Sequence, residues 1–152
     1  MLFKDEVRML RQVPLFAGME PNKLKLLAFT SDRVSYPAGE ILFRQGDTGD
    51  AAYVILAGQA AILVDSPSGQ IKVAEVGENT IVGEIAILCD AARSATVQAA
   101  TPIEALRIRK DQFIKLLTDF PEVTIEVMRV LAERLSQTTM ALTEERSKAG
   151  PR

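Results

Sequence analysis

Hydrophobic spacing changes twice along this chain. Leu10, Val13, Leu15 and Phe16, followed by Leu24, Leu26, Leu27 and Phe29, fall in clusters of helical spacing. Glu20-Pro21 between them reads as a helix start, because a proline in the first turn gives up no N–H that the helix needs. From Val34 to Arg109 the pattern becomes short runs of Val, Ile and Ala broken by Gly39, Gly46, Gly49, Gly58, Gly69 and Gly77. Turn residues at that spacing predict an antiparallel roll or barrel. Ser66-Pro67-Ser68-Gly69 is the hairpin turn expected between strands at 60–64 and 71–76. After Arg109 helical spacing returns: a short amphipathic element over 111–118 with Phe113, Leu116 and Leu117 on one face, then a long helix opened by Pro121 and running to about Glu145.

The fold class expected is therefore α+β: an antiparallel, jelly-roll-like β-roll over about 34–109, a helical preface over about 4–30 and C-terminal helices over about 110–145. These make one domain, 1–145, with a tail at 146–152. Within the β region one stretch, 84–90, does not read as strand. It lies between strands, where a binding turn on a rigid scaffold belongs.

Composition narrows the function classes. The chain has 152 residues, 47% hydrophobic and 25% charged, as in an ordinary globular protein. Apolar runs are strand-sized, and residues 1–6 carry no signal-peptide pattern, so a cytoplasmic protein without a membrane segment is expected. A net charge of −2 offers no basic footprint for nucleic acid. The single cysteine, Cys89, cannot form an internal disulfide, and its place inside an apolar turn favours a structural role over redox sensing. No histidine is present, which removes the commonest general base and metal ligand; with no nucleophile–base pair either, an enzyme is not expected.

The chemistry concentrates in Gly83-Glu84-Ile85-Ala86-Ile87-Leu88-Cys89-Asp90-Ala91-Ala92-Arg93-Ser94-Ala95-Thr96-Val97. A glycine opening a short helical turn leaves backbone N–H groups, with the positive end of the helix dipole, free to meet an anion. Arg93 beyond the turn can fork onto phosphate oxygens, and Ser94 adds further donors. A carboxylate beside a phosphate would repel it, so Glu84 suits a hydroxyl such as a ribose 2′-OH held one group away. The competing reading is a plain Glu84–Arg93 ion pair, a contact of little energetic weight on a surface.

The same segment resembles the phosphate-binding cassette of the cyclic nucleotide-binding domain family. The resemblance extends to Val13-Pro14-Leu15-Phe16, to Tyr36-Pro37-Ala38-Gly39-Glu40-Ile41-Leu42-Phe43-Arg44-Gln45-Gly46-Asp47 and to Tyr53-Val54-Ile55-Leu56-Ala57-Gly58, so that about 10–143 is covered. Two positions depart from the family pattern. Val82 stands where many members have an aromatic residue, and Ala91-Ala92 where many have a glycine or proline before the arginine. Both alter packing and loop stiffness and leave the polar contacts in place.

The resemblance implies a regulatory sensor for cAMP, or for cGMP, with no further cofactor. Gly83, Ile85 and Ala86 of the turn would hold the cyclic phosphate with Arg93 and Ser94, and Glu84 the ribose. Val73 and Ala74, with Val76, match strand positions that flank the base and sugar, although apolar strand residues are core by default. Ile87 matches a contact to the hinge before the last helices.

Met128, Leu131, Leu135, Thr138 and Leu142 are spaced as a coiled-coil seam, so the last helix serves either a homodimer or the protein's own core. In one branch of the family a pair of hydroxyl residues on this helix reads the base across the dimer. Thr138 and Thr139 stand at the matching place, where a threonine can equally bond its own backbone. Only 146–152 follow that helix, too few for a DNA-binding module, so the expected output is an effector protein or domain. The alternative is a ligand-free dimerisation module on the same fold.

Overall fold

The computed structural model describes the backbone of residues 2–148 and the side chains of 7–136 other than Leu15 and Arg134. Helix α1 (Leu2–Arg11), a 3-10 turn (Pro14–Phe16) and α2 (Pro21–Thr30) precede six strands: β1 (Asp32–Tyr36), β2 (Ile41–Phe43), β3 (Ala51–Ala57), β4 (Ala60–Ser66), β5 (Gly69–Val76) and β6 (Ile81–Val82). A five-residue helix, α3 (Glu84–Leu88), interrupts them before β7 (Thr96–Ala99) and β8 (Ile103–Arg109); α4 (Lys110–Asp119) and α5 (Pro121–Lys148) close the order. The strands form two antiparallel four-stranded sheets, β1-β8-β3-β6 and β2-β7-β4-β5. The antiparallel roll flanked by helices is the architecture that the turn spacing predicts.

The apolar run of β3 explains how the layers hold together. Strand residues alternate between faces, and both faces of β3 are covered. Ala51, Tyr53 and Ile55 point into the roll with Leu42, Val82, Val97 and Ile103. Ala52, Val54 and Leu56 face the helices, where Leu10, Phe16, Leu24, Phe113 and Val123 meet them with Ile87 of α3. A strand buried on both faces reads as continuous Ala, Val, Ile and Leu, as 51–57 does.

The hairpin of β4 and β5 turns at Pro67-Ser68, with Ser66 opposite Gly69. The strands run two residues closer to the turn than sequence spacing suggests. Gly69 has φ +114, a backbone shape that suits glycine. On α5, Met128 and Leu135 of the predicted seam are exposed and Leu131 is half-buried; the side chains of Thr138, Thr139 and Leu142 lie outside the described residues. No helix among the described residues is long and apolar enough to cross a membrane.

Candidate ligand site at the cassette helix

Gly83 caps α3 in the left-handed region, with φ +86 and ψ 1. A side chain there would meet its neighbours at once: a Cβ would stand 2.6 Å from Arg93 Nη1 and 3.2 Å from both Ala51 O and Phe43 Cε2. Gly49 allows a second close approach, since a Cβ on it would lie 2.5 Å from the Cβ of Ala86. Two glycines thus let α3 and the arginine settle against β3 and its leading loop.

Arg93 is buried, at 3% exposure, as is Glu84 at 3%. The Arg93 Nη1 donates to Gly83 O at 2.7 Å, and Nη2 donates to Ala51 O at 2.6 Å. Asp50 Oδ1 stands 3.6 Å from Nη2, and the guanidinium carbon lies 4.0 Å from the centroid of the Phe43 ring. Nε is buried and donates to nothing. Burial pulls the Arg93 pKa down, and the neighbouring Tyr53, Asp50, Asp47 and Glu84 oppose that pull. Its backbone is tied to the turn before β3: Gly46 N donates to Arg93 O at 2.9 Å, and Arg93 N donates to Asp47 O at 2.8 Å. Gly46 takes φ +92 to make that turn.

These groups form one end of a cavity of about 400 Å³. Gly83, Glu84, Ile85, Ala86, Arg93, Ser94 and Ala95 line the polar end. Phe43, Ile62, Ala74, Val76, Ile81, Val82 and Val97 line the rest from the strands. A group entering it therefore meets a buried cation, a buried carboxylate and a hydroxyl at one end and hydrocarbon elsewhere. Ligand sites commonly have this division, with a few polar groups fixing orientation within an apolar cleft.

Of the residues singled out from sequence, Gly83, Glu84, Ile85, Ala86, Arg93, Ser94 and Ala74 come together here. Val73 does not. It is 54% exposed and absent from the lining, because neighbours on a strand face opposite ways and Ala74 takes the inward place. Thr138 and Thr139 lie outside the described side chains. Cys89 is exposed at the end of α3, unlike the place inside an apolar turn expected for it. Sequence reasoning missed Phe43, Ile62, Ile81 and Val97 as lining residues. Strand alternation alone would have nominated Ile62, two residues along from the core residue Ala60. Nothing local marks Phe43.

The sequence pattern of the cyclic nucleotide-binding domain matches residues 33–120. Among relatives, the CRP-like cAMP-activated global transcriptional regulator of Mycobacterium tuberculosis is 28% identical over 141 residues, which cover 92% of this chain and 62% of that protein. The chain thus spans about three-fifths of that regulator's length. The crystal structure of the Thermus thermophilus catabolite activator protein superposes with a TM-score of 0.79 at 28% identity, covering 88% of this chain and 63% of the other. A regulatory subunit of a cAMP-independent protein kinase A from Trypanosoma brucei gives 0.73 at 26% identity, over 89% and 47% of the two chains.

Proposed function

The chain belongs to the cyclic nucleotide-binding domain family, and from that membership and the cavity at α3 we propose that it is a sensor that binds cAMP, with cGMP as the competing ligand. One observation carries the reading. Arg93 is a buried cation in the wall of an open cavity with one donor, Nε, unspent. Buried donors without partners are rare and costly, and an anion in the cavity supplies what is missing.

In the bound state Arg93, Ser94 and the N–H groups of the Gly83–Ala86 turn hold the cyclic phosphate. Glu84 accepts from the ribose 2′-OH, and the base lies against Ile62, Ala74 and Val76. Thr138 and Thr139, on the family resemblance, close over the base from α5, and the exposed Met128 and Leu135 give α5 an apolar face for a homodimer. Binding is transmitted through Ile87, which is buried in the same cluster as Phe113, Leu116 and Val123 of α4 and α5. The ligand shifts that packing only by binding one arrangement better than the other. The output passes to an effector protein or domain, the location is cytoplasmic, and residues 1–145 act as one unit.

A second reading has an observation of its own. The two backbone contacts, Asp50 and the Phe43 ring already occupy most of the guanidinium without a ligand, which suits a ligand-free interaction module. Calorimetric titration with cAMP and cGMP separates the two. The sensor gives saturable heat that Arg93→Ala weakens by an order of magnitude or more, since a charge-assisted contact contributes about 1.5–3 kcal/mol. Unchanged affinity in the variant removes the clamp, and no heat with either nucleotide favours the module.

A further inference from the structure

An aromatic file crosses the roll and ends on Arg93. Tyr36 of β1 meets Tyr53 of β3 edge-on, with ring centroids 6.5 Å apart and planes at 71°. Tyr53 in turn lies 5.9 Å from Phe43 of β2, tilted by 31°. The last member carries the Arg93 guanidinium 4.0 Å from its centroid.

The pairing of β2 is irregular where Phe43 turns inward. Regular alternation would send Leu42 and Phe43 to opposite faces. The pairing of β2 with β7 is irregular between Ile41 and Phe43, which face Gln98 and Val97 respectively. An irregularity of this kind re-aims a side chain. Leu42 is buried between the sheets and Phe43 packs against the same cluster, so both neighbours reach the interior.

We propose that Phe43 is a positioning residue of the clamp, its ring face holding the Arg93 guanidinium in the one plane from which its edge can meet a cyclic phosphate. The inference rests on the reading of the cavity as a nucleotide site. A guanidinium carries all its N–H groups in its plane and none on its faces. The two backbone carbonyls fix its edge, and the ring fixes its face without consuming a donor. In a site shielded from water the negative face of the ring also offsets part of the lost hydration of the cation. A side chain ordered before the ligand arrives costs less to immobilise on binding.

The test uses the full chain with mono-, di- and trifluorinated phenylalanine at position 43, beside Phe43→Leu, each titrated with cAMP and cGMP by calorimetry. Fluorination drains the ring face of negative potential while leaving its shape nearly unchanged. Affinity for the bound nucleotide should fall stepwise, by up to roughly 2- to 12-fold across the series, the cost of ordering one rotamer-rich side chain on binding. Phe43→Leu should lose at least as much. A ring that merely fills space predicts a flat series. Flat or rising affinity in the fluorinated proteins overturns the inference and leaves the nucleotide site standing. No heat from the wild-type chain with either nucleotide overturns both.

Discussion

Replacing Gly83 by alanine separates the two demands that the cassette makes on that position. The first is conformational. At φ +86 an L side chain is strained, at a cost of about 1–2 kcal/mol. The second is spatial. The new Cβ would lie 2.6 Å from Arg93 Nη1 and 3.2 Å from the Phe43 ring, so the guanidinium must leave its seat, breaking the 2.7 Å bond from Nη1 to Gly83 O. An arginine pushed off that seat forfeits its contact to the phosphate, about 1.5–3 kcal/mol, or on the order of 10- to 150-fold in affinity. Gly39→Ala is the control. Gly39 has φ +91 with nothing within 4 Å of the added Cβ, so it bears the strain without the clash. Denaturant unfolding should show both variants losing about 1–2 kcal/mol or more, while calorimetry with cAMP should show only Gly83→Ala losing affinity. Wild-type affinity in a folded Gly83→Ala protein would refute the placement of the arginine as the phosphate clamp.

Other consequences are open to the same assays. Glu84→Gln should weaken cAMP by about tenfold and leave 2′-deoxy-cAMP unaffected, because the charged acceptor contributes about 1.5–3 kcal/mol only where a hydroxyl donates to it; equal losses for both ligands exclude the ribose role. Ala74→Leu should obstruct the cavity and lower affinity at least tenfold, whereas Val73→Ser on the outer face should not change it, and equal effects would mean the base lies elsewhere. Burial, then Tyr53, raise the Tyr36 pKa from 10.0 to about 12. The neutral phenol is thus favoured in the folded state: its contribution is full below pH 10.0 and is lost as pH rises through about 12. Stability should fall across that window in the wild type and fall less in Tyr36→Phe, and identical profiles would count against the shift.

How far the sequence could be read depended on the range of the contacts involved. The β-roll was legible because turn glycines and short apolar runs are local signals, as at Ser66–Gly69. The polar end of the cavity was legible for the same reason: Gly83, Glu84, Arg93 and Ser94 lie within one segment, and the chain folds them back on each other. Val73 against Ala74 was not, because choosing which of two neighbours faces inward needs the register of β5 on β4, and that pairing itself shifts between Ile62 and Leu63.

Phe43 shows the limit most clearly. It lies 50 positions from Arg93, and it reaches the guanidinium only because β2 departs from regular pairing. No periodicity encodes an irregularity. The groups that carry charge in this site were readable as a local motif, while the group that holds the charged plane in place depends on the fold. The fluorinated series at Phe43 and the Gly83→Ala variant therefore probe one arrangement from its two sides. If both leave affinity unchanged in folded protein, Arg93 is a strap between α3 and β3, and the anion of the bound nucleotide is held by other groups.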